Sequence, residues 1–235
     1  MAIYAISDLH LSFGVNKPMN IFGNVWDNYE ETVKNNWINT VKEEDTVIIP
    51  GDISWAMTLK ESIKDFEFLN NLPGKKIILR GNHDYYFATK TKMQNFFNEA
   101  GFSNFEVLHN NAFVVEDYII CGTRGWGKTE NNDAEQDKKI FAREEARLIN
   151  SLNEGKRLQE EYLEKGIKKE IIVALHFPPF IANFIKIMEE YDVKKCIYGH
   201  LHGFGHNMVK EGMIGNIEYA MVGCDFTKFQ LIKLS

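Results

Sequence analysis

Residues 76–84 read Lys76-Ile77-Ile78-Leu79-Arg80-Gly81-Asn82-His83-Asp84, an apolar run that breaks on glycine into three polar side chains. Three consecutive branched residues, Ile77-Ile78-Leu79, predict a strand buried on both faces, as in a parallel sheet covered by helices. Leu72-Pro73-Gly74 stops whatever precedes it, and Gly81 lets the backbone turn sharply before Asn82. The same pattern recurs along the chain. Ile3–Ser7 leads into Asp8-Leu9-His10, and Thr46–Pro50 into Gly51-Asp52. Ile171–Leu175 leads into His176, and Cys196–Tyr198 into Gly199-His200-Leu201-His202. Sites in open α/β sheets form just beyond the carboxyl ends of strands, so five such tips would bring their side chains together. Five of the seven histidines lie in these tips.

The segments between the strands have helical character: about 28–41, about 59–72 and about 89–100. In the middle one Ile63, Phe66 and Leu69-Asn70 fall at helical spacing. A second strand group, Phe105–Leu108, Ala112–Val115 and Tyr118–Cys121, is joined by turn-prone Asn110-Asn111 and Glu116-Asp117, which predicts antiparallel pairing. Ile217–Val222 and Phe229–Leu234 have the same character. Residues 133–170 are charge-balanced, with Phe141, Leu148, Leu152, Leu158 and Tyr162 marking one or two surface helices that pack on a sheet. The fold class is therefore α/β.

The chain has 235 residues, 44% hydrophobic and 26% charged, enough for a substantial core and too apolar for disorder. No Gly/Ser-rich linker or internal repeat divides it, so residues 1–235 read as a single domain. Twenty-seven Lys+Arg against 33 Asp+Glu give a net charge of −6, which weighs against broad nucleic-acid binding. No apolar run approaches the ~18 residues of a membrane span, and Met1 leads into Ile3-Tyr4-Ala5-Ile6 without a basic leader. Three isolated cysteines, Cys121, Cys196 and Cys224, fit a reducing compartment and buried packing roles. The expectation is a cytoplasmic protein with no membrane partner; the sequence carries no reading of oligomeric state.

Imidazole nitrogens with carboxylate and amide oxygens, and no thiolate among them, suit borderline divalent metals such as Mn, Fe, Zn or Co. Two such ions about 3.5–4 Å apart clamp an in-line displacement at phosphorus. Singly, each tip has a plainer reading. Asp8 after a strand is commonly a helix N-cap, Gly51-Asp52 a turn, and His176 before Phe177-Pro178-Pro179 a structural histidine.

Taken in order, D-x-H, G-D, G-N-H-D, a lone H and G-H-x-H resemble the motifs of the calcineurin-like metallophosphoesterase superfamily over about residues 3–202. The resemblance implies a four-layer α/β/β/α sandwich, with two mixed β-sheets flanked by helices. It implies two divalent transition-metal ions (Mn, Fe or Zn), one held by Asp8, His10 and His202, the other by Asn82, His176 and His200, with Asp52 bridging both. His83 corresponds to the non-ligand histidine that stabilises or protonates the leaving-group side. A bridging hydroxide would attack the phosphorus of a small phosphorylated substrate, a mono- or diester.

The stretches SDLHLSFG (7–14), PGDISWAM (50–57) and LPGKKIILRGNHDYY (72–86) look like a bacterial branch of predicted phosphohydrolases. The Ser/Thr protein-phosphatase branch has Asp and Arg where Trp55 and Ala56 stand here, so both roles are vacant at those positions. The arginine of the lipid-A precursor hydrolases is replaced by His83.

Two rival readings stay open. One is a non-catalytic metal-binding scaffold on this fold; the other is a nuclease-type phosphodiesterase, against which the acidic balance and the lack of a coiled-coil arm weigh. The loop Thr123-Arg124-Gly125-Trp126-Gly127 suits gripping phosphate with Arg124 and walling the esterified group with Trp126, or else packing through the Trp. His109 reads as a surface turn residue, and His206, four residues beyond His202, as a strand-edge histidine or else a support behind the ligands. Asp84 would either orient His83 or fix its loop by hydrogen bonds to backbone.

Overall fold

The apolar runs that end in polar tips form two sets of parallel strands in the computed structural model, which describes residues 1–127 and 134–235. In the first sheet β1 (Ile3–Ala5), β2 (Thr46–Ile49), β3 (Lys75–Ile78) and β4 (Phe105–Val107) lie side by side in that order, all parallel. The second sheet is built from β5 (Phe113–Val115), β6 (Tyr118–Thr123), β7 (Glu170–Leu175), β8 (Lys195–Tyr198), β9 (Gly212–Ile214) and β10 (Ile217–Met221). Its order is β5-β6-β7-β8-β10-β9, with β6, β7, β8 and β10 parallel and the two edges antiparallel. A short β11 (Ile232–Lys233) caps β1 antiparallel, so both sheets are mixed.

Side-chain alternation builds the layers, because successive strand residues face opposite ways. In β2, Val47 and Ile49 join the core under α1 (Tyr29–Thr40), α2 (Leu59–Asn70) and α3 (Lys90–Ala100), while Ile48 joins the layer between the sheets. In β7, Ile171, Val173 and Leu175 face α4 (Ala134–Leu163) and α5 (Ala182–Glu190), whereas Ile172 and Ala174 turn inward. The result is the four-layer α/β/β/α sandwich with two mixed sheets.

Several local expectations need correction. Phe105–Val107 does not join an antiparallel group; it extends the first sheet parallel to β3, because α3 intervenes and a crossover through a helix returns parallel. The 30-residue α4 likewise makes β6 and β7 parallel neighbours, leaving β5–β6 as the antiparallel hairpin. The 229–234 run shrinks to the two residues of β11. On α2 the buried stripe is Ser62, Asp65, Phe66 and Leu69, and Ile63 points outward; the helix starts at a capping box of Thr58 and Glu61. Residues 134–163 form one helix, and residue 133 lies outside the described residues. Within α4 the bare Gly155 allows close contact with Cys121 of β6. Among the described residues no helix is long and apolar enough to cross a membrane.

A single carboxylate fixes the strand-end loops against one another. Asp84 is buried and accepts hydrogen bonds from the main-chain N–H groups of Asp52 (2.8 Å), Ile53 (2.8 Å), Ser54 (3.3 Å) and Gly81 (2.7 Å), and from the Tyr86 hydroxyl (3.0 Å). The loop-fixing reading of Asp84 is the one the structure has. Asp84→Ala leaves these buried donors without an acceptor. Urea unfolding should show a loss of about 3 kcal/mol or more, since each orphaned buried donor costs roughly 1–3 kcal/mol. An unchanged unfolding midpoint would show that the brace carries no stability.

Candidate metal centre

The first tip turns out of β1 through two non-glycine residues in the left-handed region, Asp8 (φ 61°) and His10 (φ 47°). Asp52 (φ 50°) and His200 (φ 75°) share that conformation. It costs roughly 1–3 kcal/mol per residue and persists only where surrounding structure over-determines it. Here it does. Asp8 N–H donates to Gly51 O and His10 N–H to Asp52 O, stitching the first tip to the second. Between them the glycines permit contact that side chains would block: a Cβ on Gly81 would overlap the Asp52 carboxylate, and one on Gly199 the Asp8 carboxylate.

Asp8, His10 and His202 present one ligand atom each within a single cluster, and Asp8, Asp52 and His176 form a second that shares Asp8. Asp8 Oδ1 lies 3.4 Å from His202 Nε2 and 3.9 Å from His176 Nδ1. Asp52 Oδ2 lies 3.5 Å from His176 Nε2 and 3.8 Å from His10 Nε2, which places it between the two groups. Asn82 Oδ1 stands 2.6 Å from His176 Nε2 and 2.9 Å from His200 Nδ1. All seven candidate ligands therefore converge, on tips of β1, β2, β3, β7 and β8.

The tautomers are set from behind. His176 Nδ1 is 3.0 Å from the Pro50 carbonyl and donates to it, leaving the Nε2 lone pair towards Asp52 and Asn82. His202 Nδ1 meets Asp225 Oδ1 at 3.0 Å, which turns Nε2 towards Asp8 and His10. His200 N–H donates to both oxygens of Asp8 (3.1 and 3.0 Å), and the Ser7 hydroxyl donates to the same carboxylate.

Electrostatics show that this donor set fits cations. The Nε2 atoms of His10 and His202 face each other at 3.2 Å, and His10 Nδ1 is buried without a hydrogen-bond partner. Burial pushes His10, His176 and His200 down, His176 to about 3, so these imidazoles are neutral, as a ligand must be. His202 behaves oppositely: burial would lower it, but its bonds to Asp225 and Asp8 outweigh that and raise it to about 10. Burial followed by the nearby Asp84 and Asp8 carboxylates raises Asp52. Divalent cations among these groups would displace the His202 proton, since a histidine ligand must be neutral, and would offset the carboxylate charge at Asp52.

His83 sits on the rim. Its main-chain N–H donates to Asp52 Oδ1 (2.8 Å), and its ring lies 4.6 Å from Trp55 and 5.6 Å from His10. Burial, then the charge of Lys17, lowers His83 to about 4. Arg124 and Trp126 take other partners: Arg124 Nη2 is 3.6 Å from Glu144 Oε1, and Trp126 Nε1 donates to Asp137 at 3.1 Å and packs on Phe177.

Three residues at the site escaped the sequence reading. Trp55, where an acid stands in the protein-phosphatase branch, stacks on His10 with ring centroids 4.7 Å apart. Lys17 Nζ lies 3.1 Å above the Trp55 ring. Asp225 receives His202, and His206 Nε2 lies 3.2 Å from its other oxygen, so His206 belongs to this cluster in a 3₁₀ turn instead of a strand edge. A signal for Asp225 existed: Ile217–Val222 followed by Gly223-Cys224-Asp225 repeats the strand, glycine and acid pattern of the other tips.

In front of His10, His83 and His202 opens a cleft of about 510 Å³ whose walls include Met19, Phe22, Val25, Trp26 and Phe204.

Comparison with known proteins agrees with this geometry. A protein of Methanocaldococcus jannaschii without a described function is 34% identical over 89 residues, 36% of this chain and 47% of that protein. The gene 66 protein of Mycobacterium phage L5 is 37% identical over 81 residues, 33% of this chain and 37% of that protein. The chain thus matches less than half the length of either relative. Among solved structures, a protein of unknown function from Aquifex aeolicus aligns with a TM-score of 0.53 at 17% identity, covering 99% of this chain and 95% of that one. The phosphopantetheinyl hydrolase of Mycobacterium tuberculosis aligns with a TM-score of 0.51 at 12% identity and the same coverage. At such identities these two show the fold alone. Residues 1–204, which carry every tip from Asp8 to His202, match the calcineurin-like phosphoesterase family, and the chain belongs to that family.

Proposed function

We propose that the protein is a dinuclear metal-dependent phosphoesterase whose substrate carries an apolar or aromatic group on the ester oxygen. The observation that carries this reading is the convergence of Asp8, His10 and His202 on one side of Asp52 and of Asn82, His176 and His200 on the other. The first trio would hold one ion, the second trio the other, and Asp52 both. Bound there, two divalent ions supply Lewis acidity that acidifies a water and neutralises phosphoryl oxygens. His83, neutral beside Lys17, donates a hydrogen bond to the departing ester oxygen. Met19, Phe22, Val25, Trp26 and Phe204 shed water from the group attached to that oxygen. Lys17, held above Trp55, adds positive charge at the cleft mouth for an incoming phosphate. A screen of metal-reconstituted protein over phosphomonoesters, diesters and nucleotide pyrophosphates tests the reading, with aromatic and long-chain esters preferred over short polar ones. No turnover in any class with Mn, Fe or Zn would refute it.

Elemental analysis after mild purification should find about two transition-metal ions per chain. Asp52→Asn should lower both metal content and turnover more than loss of any single outer ligand, because one carboxylate serves both ions. A variant that keeps two ions and wild-type turnover would remove Asp52 from its bridging role.

His83→Ala is expected to keep its metals and lose roughly 10²–10³ in kcat, the usual cost of removing one hydrogen-bond donor aimed at developing charge. Metal loss in this variant would make His83 a ligand instead.

Lys17→Ala should lower kcat/KM about tenfold, or about 1.4 kcal/mol, with metal content unchanged. Lys17→Arg should retain most of the activity, and added salt should narrow the difference between wild type and Lys17→Ala.

A further inference from the structure

Beside the metal cluster, along the same carboxyl edge, a second small cavity opens beyond the ends of β3, β4 and β6. It measures about 40 Å³ and is lined in part by Arg80, Arg124, Arg147 and His109. That volume holds one tetrahedral oxyanion or a few waters, at the roughly 10–15 Å³ each water requires on this measure.

Among the described residues the charges there do not balance. A single described carboxylate, Glu144, lies within ion-pair distance of Arg124 and Arg147, and of Arg143 beside them. Its Oε1 takes Arg147 at 2.6 Å, Arg124 at 3.6 Å and Arg143 at 3.9 Å, and its Oε2 accepts from the Thr123 hydroxyl at 2.8 Å. Glu144 is fully buried and its hydrogen-bonding capacity is largely used. Among the described residues Arg80 has no ion-pair partner, and the buried Nε atoms of both Arg80 and Arg124 have no acceptor. A buried guanidinium donor without a partner is costly, and native structures pair nearly all such groups. Burial lowers Arg124 to about 10; Glu144 opposes the shift, and the like charges of Arg80, Arg143 and Arg147 add to it. His109, half-buried beside Arg147 and Arg80, is lowered as well, first by burial, and presents a neutral ring.

We infer that Arg80, Arg124 and Arg147 form an oxyanion site for a phosphate-type group, separate from the metal cluster but tied to it through the main chain. The tie is short. Arg80 precedes Asn82 by two residues, and the Arg124 carbonyl accepts from His176 N–H (3.1 Å) and Phe177 N–H (3.0 Å). An anion drawn in by the three arginines tightens the backbone from which Asn82 and His176 project. The phosphate can be free in solution or be a second phosphate group on the substrate; guanidinium forks recognise either alike. The site stands whether or not the protein hydrolyses esters.

Calorimetric titration of inorganic phosphate into the metal-loaded protein tests it. Wild type should bind two phosphates per chain. Arg80→Gln and Arg147→Gln should each weaken one of the two events at least tenfold and leave the other unchanged. One event only, equally strong in wild type and both variants, overturns the site. Tungstate soaked into wild-type crystals gives a readout independent of how the variants fold. An anomalous peak between Arg80, Arg124 and Arg147 supports the site, and density at the metals alone overturns it. A nucleoside 3′,5′-bisphosphate separates the two sources. Binding at least tenfold tighter than the monophosphate, with the advantage lost in Arg80→Gln, assigns the site to a substrate phosphate. Equal binding of the two nucleotides, with inorganic phosphate still filling two sites, assigns it to free phosphate.

Discussion

Everything at this site depends on confining two buried carboxylates, Asp52 and Asp84, in one small volume without letting their loops separate. Asp84 meets four main-chain N–H groups from the loops after β2 and β3, so its charge is spent on holding backbone. Asp52 has its Oδ1 taken by the His83 N–H and turns Oδ2 towards the histidines. Two acids of the same type, 32 residues apart, therefore do different work: one builds the cradle and the other faces its contents. Burial raises both, and the Asp84 charge raises Asp52 further, so the pair is most at ease when cations share the Asp52 side.

The left-handed turns at Asp8, His10, Asp52 and His200 belong to the same logic. A strand that continued straight would carry alternate side chains to opposite faces. Forcing the backbone into a costly conformation at the tips of β1, β2 and β8 brings carboxylates and imidazoles from different strands to one point. Trp55 and Trp26 then close the side of His10 against solvent, with ring contacts at 4.7 and 6.3 Å. Rigid aromatic walls beside a histidine hold its ring plane more firmly than a flexible aliphatic chain would.

Much of this was legible in the sequence because strand ends are local. An apolar run followed by a polar donor, with a glycine between them in three of five cases, marks its own position, and five such marks locate Asp8, His10, Asp52, Asn82, His83, His176, His200 and His202. What stayed hidden is long-range. Nothing near Glu144 announces that it faces Arg124, because that contact depends on how α4 crosses β6. The pairing of Phe105–Val107 with β3 depended on the handedness of a crossover, which the flanking turn residues do not encode. Lys17 lies in the stretch 13–26, which follows the first tip and carries no motif, and only its placement above Trp55 gives it a part. Asp225 carried the right local signal but lies 23 residues beyond the last histidine motif.

The position of Asp225 ties a late stretch of the chain to its first strand. Its partner His202 reaches across to Asp8, near the start of the chain, and Gly223 bridges to Ser7 while the Cys224 thiol bonds the Asp8 carbonyl. β10 lies inside the second sheet, between β8 and β9, so that sheet stays open until residues 217–221 are in place. The first 202 residues hold all seven candidate ligands but not the strand and carboxylate that fix His202, so residues 217–225 complete the second sheet and the support of the site together.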